Sequence, residues 1–296
     1  MFNYRSSPPF SGKIQEILDN IKRLKPLPGT CQKILQIVEN PNATAVEVIK
    51  VIKTDQALAA DVIRMANSVS LGYKVPCSSI DTAVVRIGFK RVRALALRSF
   101  ASGPLTRRLK GYRMEENSLW NHSMAAAKYS DLIAKILSYP DPEDAYVTGL
   151  LHDIGKLMLD QYVLDDYQKI VEMMKTEKRP LWEIEENLFG IDHAAIGGIM
   201  ADKWNLPPKL GEGIRFHHMP SLSKRHRQLV AIINIANALT PETSSGLSRL
   251  EGKFVNEDAL QILHLNQDTF QKLHQRLNKL LEQEKTIAEQ QAQSQS

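Results

Sequence analysis

Cysteine is almost absent from this 296-residue chain. Cys31 and Cys77 stand alone, with no CxxC spacing, so neither a disulfide framework nor a thiolate zinc site is indicated and both are expected as reduced packing thiols. Aromatic residues make up only 6%. Ala, Leu and Lys, which lose little side-chain freedom in a helix, are abundant, and no alternating strand pattern of useful length occurs, which argues against an all-β fold. No apolar run reaches the roughly 18–20 residues of a membrane-spanning helix, and the opening MFNYRSSPPF lacks the apolar centre of a secretory leader. A cytoplasmic protein is expected. No internal repeat is visible.

What is present is a chain with 43% hydrophobic residues, enough to bury a substantial core, and an uneven charge. Residues 1–113 hold 19 Lys/Arg against 7 Asp/Glu, and the rest hold 19 against 26. The basic part could attract nucleic acid, nucleotides, anionic lipid or an acidic protein partner. It could equally dock onto the acidic remainder of its own chain. Lys90, Arg91, Arg93, Arg98, Arg107, Arg108, Lys110 and Arg113 would form either a phosphate-binding stripe or a solvated helix face. No helix-turn-helix reader accompanies them, so nucleic acid is not the expected partner.

The apolar spacing predicts helices almost throughout. Ile14, Ile17, Leu18, Ile21 and Leu24 recur at helical intervals, and Pro26 and Pro28 end that run. A second helix spans about Thr30–Glu39 and stops before Pro41. Thr44 and Glu47 have the spacing of a capping box, which starts a third helix with Val48, Ile49, Val51 and Ile52 on its core face. Helices at about Asp55–Ala66, Ser79–Ile87 and Phe89–Ser99 follow, with Gly88 as a left-handed cap and Gly103–Pro104 in a loop. Asn67 and Ser68 are expected to cap a helix end. Farther on, helices are predicted at about Glu116–Leu137, Pro142–His152, Asp165–Thr176, Leu181–Leu188, His193–Trp204, Pro208–His217 and Ser223–Leu239. Residues 241–253 form a Ser/Gly-rich loop. Helices at about Glu257–Leu263 and Gln267–Gln290 precede a Gln/Ser tail without structure.

Chemistry concentrates in the string Gly149-Leu150-Leu151-His152-Asp153-Ile154-Gly155-Lys156. A His-Asp pair inside an apolar stretch needs a cation, a hydrogen-bond network or a substrate, because a buried charge without a partner is costly. Imidazole with carboxylate suits Fe, Mn, Zn and similar ions. His122, His193 and the pair His217-His218 are the companions, leaving His226, His264 and His274 as surface residues.

The order His, His-Asp-x-Gly-Lys, His-x-x-x-Gly, His-His resembles the ligand order of the HD phosphohydrolase superfamily, above all its HD-GYP branch. The N-terminal anchors Leu27-Pro28, Asp55-Gln56-Ala57-Leu58, Ala66-Asn67-Ser68, Ser79-Ile80, Ala83 and Gly88-x-x-Arg91 are similar to those of HDOD proteins, the HD-related output domains of bacterial signalling. Together the likeness covers about Ile21–Leu239. It implies an all-α, HD-domain-like helical bundle with an N-terminal helical layer. It also implies a divalent metal ion (Fe, Mn or similar) held by His122, His152, Asp153, His193, His217 and His218. In an active member Asp153 and Lys156 would serve catalysis, Lys156 facing the phosphate of a nucleotide or other phosphorylated ligand.

Several positions depart from the enzyme pattern. Ser118 stands one turn before His122, where trinuclear members have a glutamate ligand. Met219-Pro220-Ser221 replaces the Glu and Gly-Tyr-Pro loop. In the stretch Ile233–Thr240, which resembles the one holding the last metal-binding aspartate, both candidate positions are amides, Asn234 and Asn237. Each change removes negative charge that a multinuclear site uses against its cations. The expectation is therefore a regulatory domain with a degenerate metal site, non-catalytic and acting on a protein partner in a signalling pathway. The alternative is a metal-dependent phosphohydrolase acting on a nucleotide or phosphodiester. The expected divisions are an N-terminal helical subdomain over 1–110, the histidine-bearing bundle over 111–253 and C-terminal helices with a tail over 254–296.

Overall fold

The computed structural model describes residues 11–68, 71–73, 75–241, 246–247 and 254–294. Six helices come first: α1 Ser11–Lys22, α2 Gly29–Val38, α3 Ala45–Ile52, α4 Gln56–Ala66, α5 Ile80–Ile87 and α6 Phe89–Leu105. A loop then leads into α7 Ser118–Ile136, α8 Pro142–Leu151, α9 Lys156–Thr176, α10 Leu181–Phe189, α11 His193–Lys203, α12 Pro208–Arg215 and α13 Arg227–Leu239, and the chain closes with α14 Glu257–Ile262 and α15 Gln267–Ser294. Among the described residues the sole β pairing is an isolated bridge between Leu109 and Met114 in the α6–α7 loop. No helix there is long and apolar enough to cross a membrane.

Local chemistry explains most boundaries. Thr44 and Glu47 exchange both capping-box bonds at the start of α3, the Glu47 carboxylate accepting from the Thr44 amide at 2.8 Å. Asp55, Ser79 and Asp192 cap α4, α5 and α11 through side-chain oxygens. Asn67 pins the loop after α4 by accepting from the Cys77 amide and donating to the Cys77 carbonyl. Cys31 and Cys77 are free and buried.

Four segments differ from expectation. Gly88 has φ 77° and ψ 163°, a mirror-extended conformation rather than a left-handed helical cap, though equally one that favours glycine. α6 continues through Gly103–Pro104 to Leu105; burial of Ala101 and Leu105 carries the helix past a proline that forfeits only its own amide bond in the last turn. α9 begins at Lys156, not Asp165, because Leu159, Tyr162 and Val163 already lie on its buried face. The last helix runs on to Ser294, through the Gln-rich stretch expected to lack structure. The loop expected over 241–253 falls almost entirely outside the described residues.

One apolar cluster joins the N-terminal layer to the bundle, running from Ile17, Ile34 and Val48 through Leu97 and Leu105 to Leu150, Ile154 and Ile196. A second, smaller cluster packs α7 against α13, α14 and α15. The basic segment docks inward. Arg93, buried on α6, pairs with Glu39 at 2.7 Å and with fully buried Asp144 of α8, which also meets Lys209 of α12 at 2.5 Å. Lys90 pairs with Asp141 and Arg91 with Glu143. The intramolecular reading of the charge asymmetry therefore holds for these three cations, which do not form an open phosphate-binding stripe.

Candidate metal centre

The turn between α8 and α9 carries His152, Asp153 and Lys156 at the middle of the bundle, and two glycines make that placement possible. A Cβ on Gly149 would sit 2.5 Å from Ser130 Oγ, so α8 can press closely on α7 only without a side chain there. A Cβ on Gly155 would come within 1.9 Å of the His193 carbonyl oxygen, so the turn touches the start of α11 through bare backbone. His122 on α7, His193 at the head of α11 and His217-His218 after α12 then converge on the same carboxylate. His152, Asp153, His193 and His217 are fully buried or nearly so, and His122 and His218 are half-buried at the rim.

Asp153 stands between two groups of donors. Its Oδ2 lies 3.5 Å from His122 Nε2, 3.4 Å from His152 Nε2 and 2.8 Å from Lys156 Nζ. Its Oδ1 faces His193 Nε2 at 3.2 Å and His217 Nε2 at 4.0 Å. The two clusters His122–His152–Asp153 and His193–His217–His218 each bring their donor atoms within 4.8 Å of one another. All six expected ligands thus meet, with Lys156 beside them.

Hydrogen bonding fixes which nitrogens point inward. His152 Nδ1 lies 2.8 Å from the Gly149 carbonyl and His217 Nδ1 lies 2.7 Å from the Ile214 carbonyl. A carbonyl only accepts, so both Nδ1 atoms carry the hydrogen, and a neutral ring then presents its Nε2 lone pair to the cavity. Burial pushes His122 down to about 3 and lowers His152, His217 and His218 as well, so these four rings are neutral, the form that binds metal. Asp153 is the opposite case. Burial acts to raise its carboxyl, but the neighbouring charges of Lys156 and His193 outweigh burial and hold it well below the usual range.

His193 differs from the other rings. Its Nδ1–H and its backbone amide both donate to Glu185 Oε2, at 2.6 and 2.9 Å. Burial opposes a proton on this ring, yet the Glu185 carboxylate prevails and raises it to about 10. Glu185 is itself fully buried and accepts a 2.7 Å bond from the Tyr112 hydroxyl on its other oxygen. Without an ion His193 therefore keeps a proton on Nε2, which a metal must displace before this ring can ligate; the carboxylate–histidine pairing itself is the kind that orients a metal ligand from behind. Trp182 stacks on His218 with the rings 5.6 Å apart and 15° from parallel.

The donor set fits a divalent ion. Asp153 Oδ1 and His217 Nε2 are buried without a hydrogen-bond partner, and such groups ordinarily find one. Both belong to the half that includes His193 and His218. In the other half Lys156 already holds Asp153 Oδ2, and His122 and His152 approach each other at 3.3 Å. The two candidate amides separate clearly. Asn234 donates to the His217 carbonyl and accepts from the Asn256 amide, a scaffolding role, whereas Asn237 lies beside His122 and favours a proton on that ring.

A family model for the HDOD domain matches residues 24–220. The chain belongs to the HDOD family. Its relatives include a Treponema pallidum protein carried as uncharacterized, 28% identical over 223 residues, which is 75% of this chain and 43% of the relative. The chain therefore spans less than half the length of that relative. Among solved structures, an HDOD protein of unknown function from Geobacter sulfurreducens shares 24% identity with a TM-score of 0.66, covering 94% of each chain. A candidate phosphohydrolase of Shewanella amazonensis shares 25% identity with the same TM-score, over 89% of this chain and 93% of the other. A candidate signal transduction protein of Marinobacter aquaeolei shares 22% identity at a TM-score of 0.67, over 96% of this chain and 66% of the other. These likenesses confirm the helical HDOD architecture.

In this HDOD chain the sequence reading missed Glu185, Tyr112 and Trp182. Glu185 had a signal: in α10 it sits beside Ile184 on the stripe Leu181, Ile184, Leu188, so helical periodicity alone buries an acid there. Tyr112 had none, since its partner lies 73 residues away.

Proposed function

We propose that this HDOD protein is a non-catalytic regulatory module whose histidine cluster binds one divalent cation, Fe, Mn or a similar ion, through His193, His217, His218 and Asp153. The observation that carries the reading is the poverty of carboxylates at the cavity. Among the described residues Asp153 is the only one that faces both donor groups, Glu185 is spent on His193, and the position beside His122 is the amide Asn237. A second divalent ion beside Lys156 would meet an ammonium and two neutral imidazoles with no further negative charge to offset it. Bound metal would supply Lewis acidity, while the protein's own residues hold it from behind: Glu185 on His193, the Ile214 carbonyl on His217 and Trp182 against His218. The protein partner expected of a signalling output domain would then read the state of the bundle.

The rival reading is a metal-dependent phosphohydrolase, favoured by the approach of all six ligands around Asp153 and by Lys156 at the same carboxylate. Elemental analysis of protein purified with and without oxygen, together with turnover of a nucleotide and phosphodiester panel, separates the two. One metal ion per chain, lost in Asp153→Ala, without metal-dependent hydrolysis is the expected result. Two ions per chain with Mn- or Fe-dependent hydrolysis abolished in Asp153→Ala would establish the enzyme instead.

A further inference from the structure

We propose that the cleft between the N-terminal layer and the bundle is a second ligand site, one that takes a small organic phosphate with a planar apolar portion. The cleft encloses about 480 Å³, the size of pockets that hold nucleotide-sized molecules. Helices α4 and α6 supply one wall, α7 and α8 the other. Met65, Leu71, Ala94 and Leu95 give it an apolar floor.

Among the described residues, charge on the walls is matched in all but one place. Arg64 pairs with Asp61 at 2.7 Å, Lys135 with Asp131 at 2.6 Å and Arg91 with Glu143 at 3.1 Å. Arg98 lines the same cleft, is half-buried, and makes no hydrogen bond or ion pair with a described residue. Its charge is felt by Tyr146, which closes the far wall. Partial desolvation of a guanidinium is costly unless an anion meets it, and the planar fork matches a phosphate with two parallel bonds. Among the described lining residues four cations against three acids leave the cleft net positive, and the apolar floor beneath Arg98 suits a flat group attached to that phosphate.

The cleft shares helices with the histidine cluster but no residue. On α7, Asp131 and His122 are nine positions apart, roughly 13 Å along the axis, and on α8 Tyr146 precedes His152 by roughly 9 Å. Occupancy of the two sites is therefore separable by experiment.

The test uses the full chain and N-methylanthraniloyl-labelled GMP and AMP, followed by fluorescence anisotropy. Saturable one-to-one binding of at least one nucleotide is expected, weakened roughly ten- to a hundredfold by Arg98→Ala, the loss typical of a charge-assisted bond. Arg107→Ala, which removes an exposed cation outside the cleft, should leave the affinity unchanged, and metal content should match the parent protein in both. Arg98→Lys keeps the charge without the fork and should bind with intermediate affinity, which covers the case in which the alanine variant does not fold. Absence of saturable binding to both nucleotides, equal weakening by Arg98→Ala and Arg107→Ala, or parental affinity in both Arg98 variants would overturn the proposal.

Discussion

Replacing Glu185 by Gln probes the support behind the histidine cluster without changing its volume. Glu185 Oε1 accepts from Tyr112, and Oε2 accepts both the His193 amide and His193 Nδ1–H. A glutamine whose carbonyl takes the His193 bonds turns its NH2 to the Tyr112 oxygen, which can accept that bond only by swinging the Tyr112 hydroxyl hydrogen away from its former acceptor. Loss of a charge-assisted bond at a fully buried site, with one donor left unsatisfied, costs about 2–4 kcal/mol. For a chain of this size that lowers the melting temperature by roughly 5–15 °C. Stability alone would not distinguish a scaffold from a positioning role. Metal affinity does, because outer-sphere partners of this kind are worth roughly 10–100-fold in binding. The assay is therefore paired: thermal unfolding of the metal-free protein, and competition for Zn or Mn against a chelator. A folded Glu185→Gln protein that melts earlier yet binds metal as tightly as its parent would refute the argument that Glu185 orients His193.

Lys156→Met removes the cation 2.8 Å from buried Asp153, so the metal-free protein should lose about 3 kcal/mol, and added metal should raise the melting temperature of the variant more than that of the parent; an equal shift in both would show that Lys156 does not offset Asp153. Asn237→Asp places a carboxylate beside His122 and should raise the metal content from one ion per chain toward two by elemental analysis, whereas an unchanged stoichiometry would show that the missing charge is not what limits the site. Gly155→Ala forces a Cβ to within 1.9 Å of the His193 carbonyl and must push α11 from the α8–α9 turn. Its metal affinity should fall at least tenfold even where circular dichroism remains helical, and retention of parental affinity would contradict the close approach.

Much of this arrangement was legible in the residues themselves, and the reason differs between parts. Helix existence follows from apolar periodicity, and caps such as Thr44–Glu47 and Asp55 follow from local hydrogen bonds, so both can be read within a few positions of sequence. The convergence of His122, His152, Asp153, His193, His217 and His218 was legible through likeness to a known ligand order, since nothing local states that distant imidazoles share a cavity. What stayed hidden depends on tertiary contact. Gly103–Pro104 looks like a break, but burial of Ala101 and Leu105 holds α6 together. The eight-residue roll of basic residues looks like a surface, but Arg93 is among the largest fully buried side chains, and its partners Glu39 and Asp144 lie more than 50 residues away on either side. Buried charge is the common thread. Glu185 on an apolar stripe and Asp144 between Arg93 and Lys209 each need a partner that composition cannot name. In this fold, a polar residue at a periodic core position is therefore the sequence signal to pursue first, since at Asp153 and Glu185 it marks the histidine cluster and at Asp144 the joint between the layers.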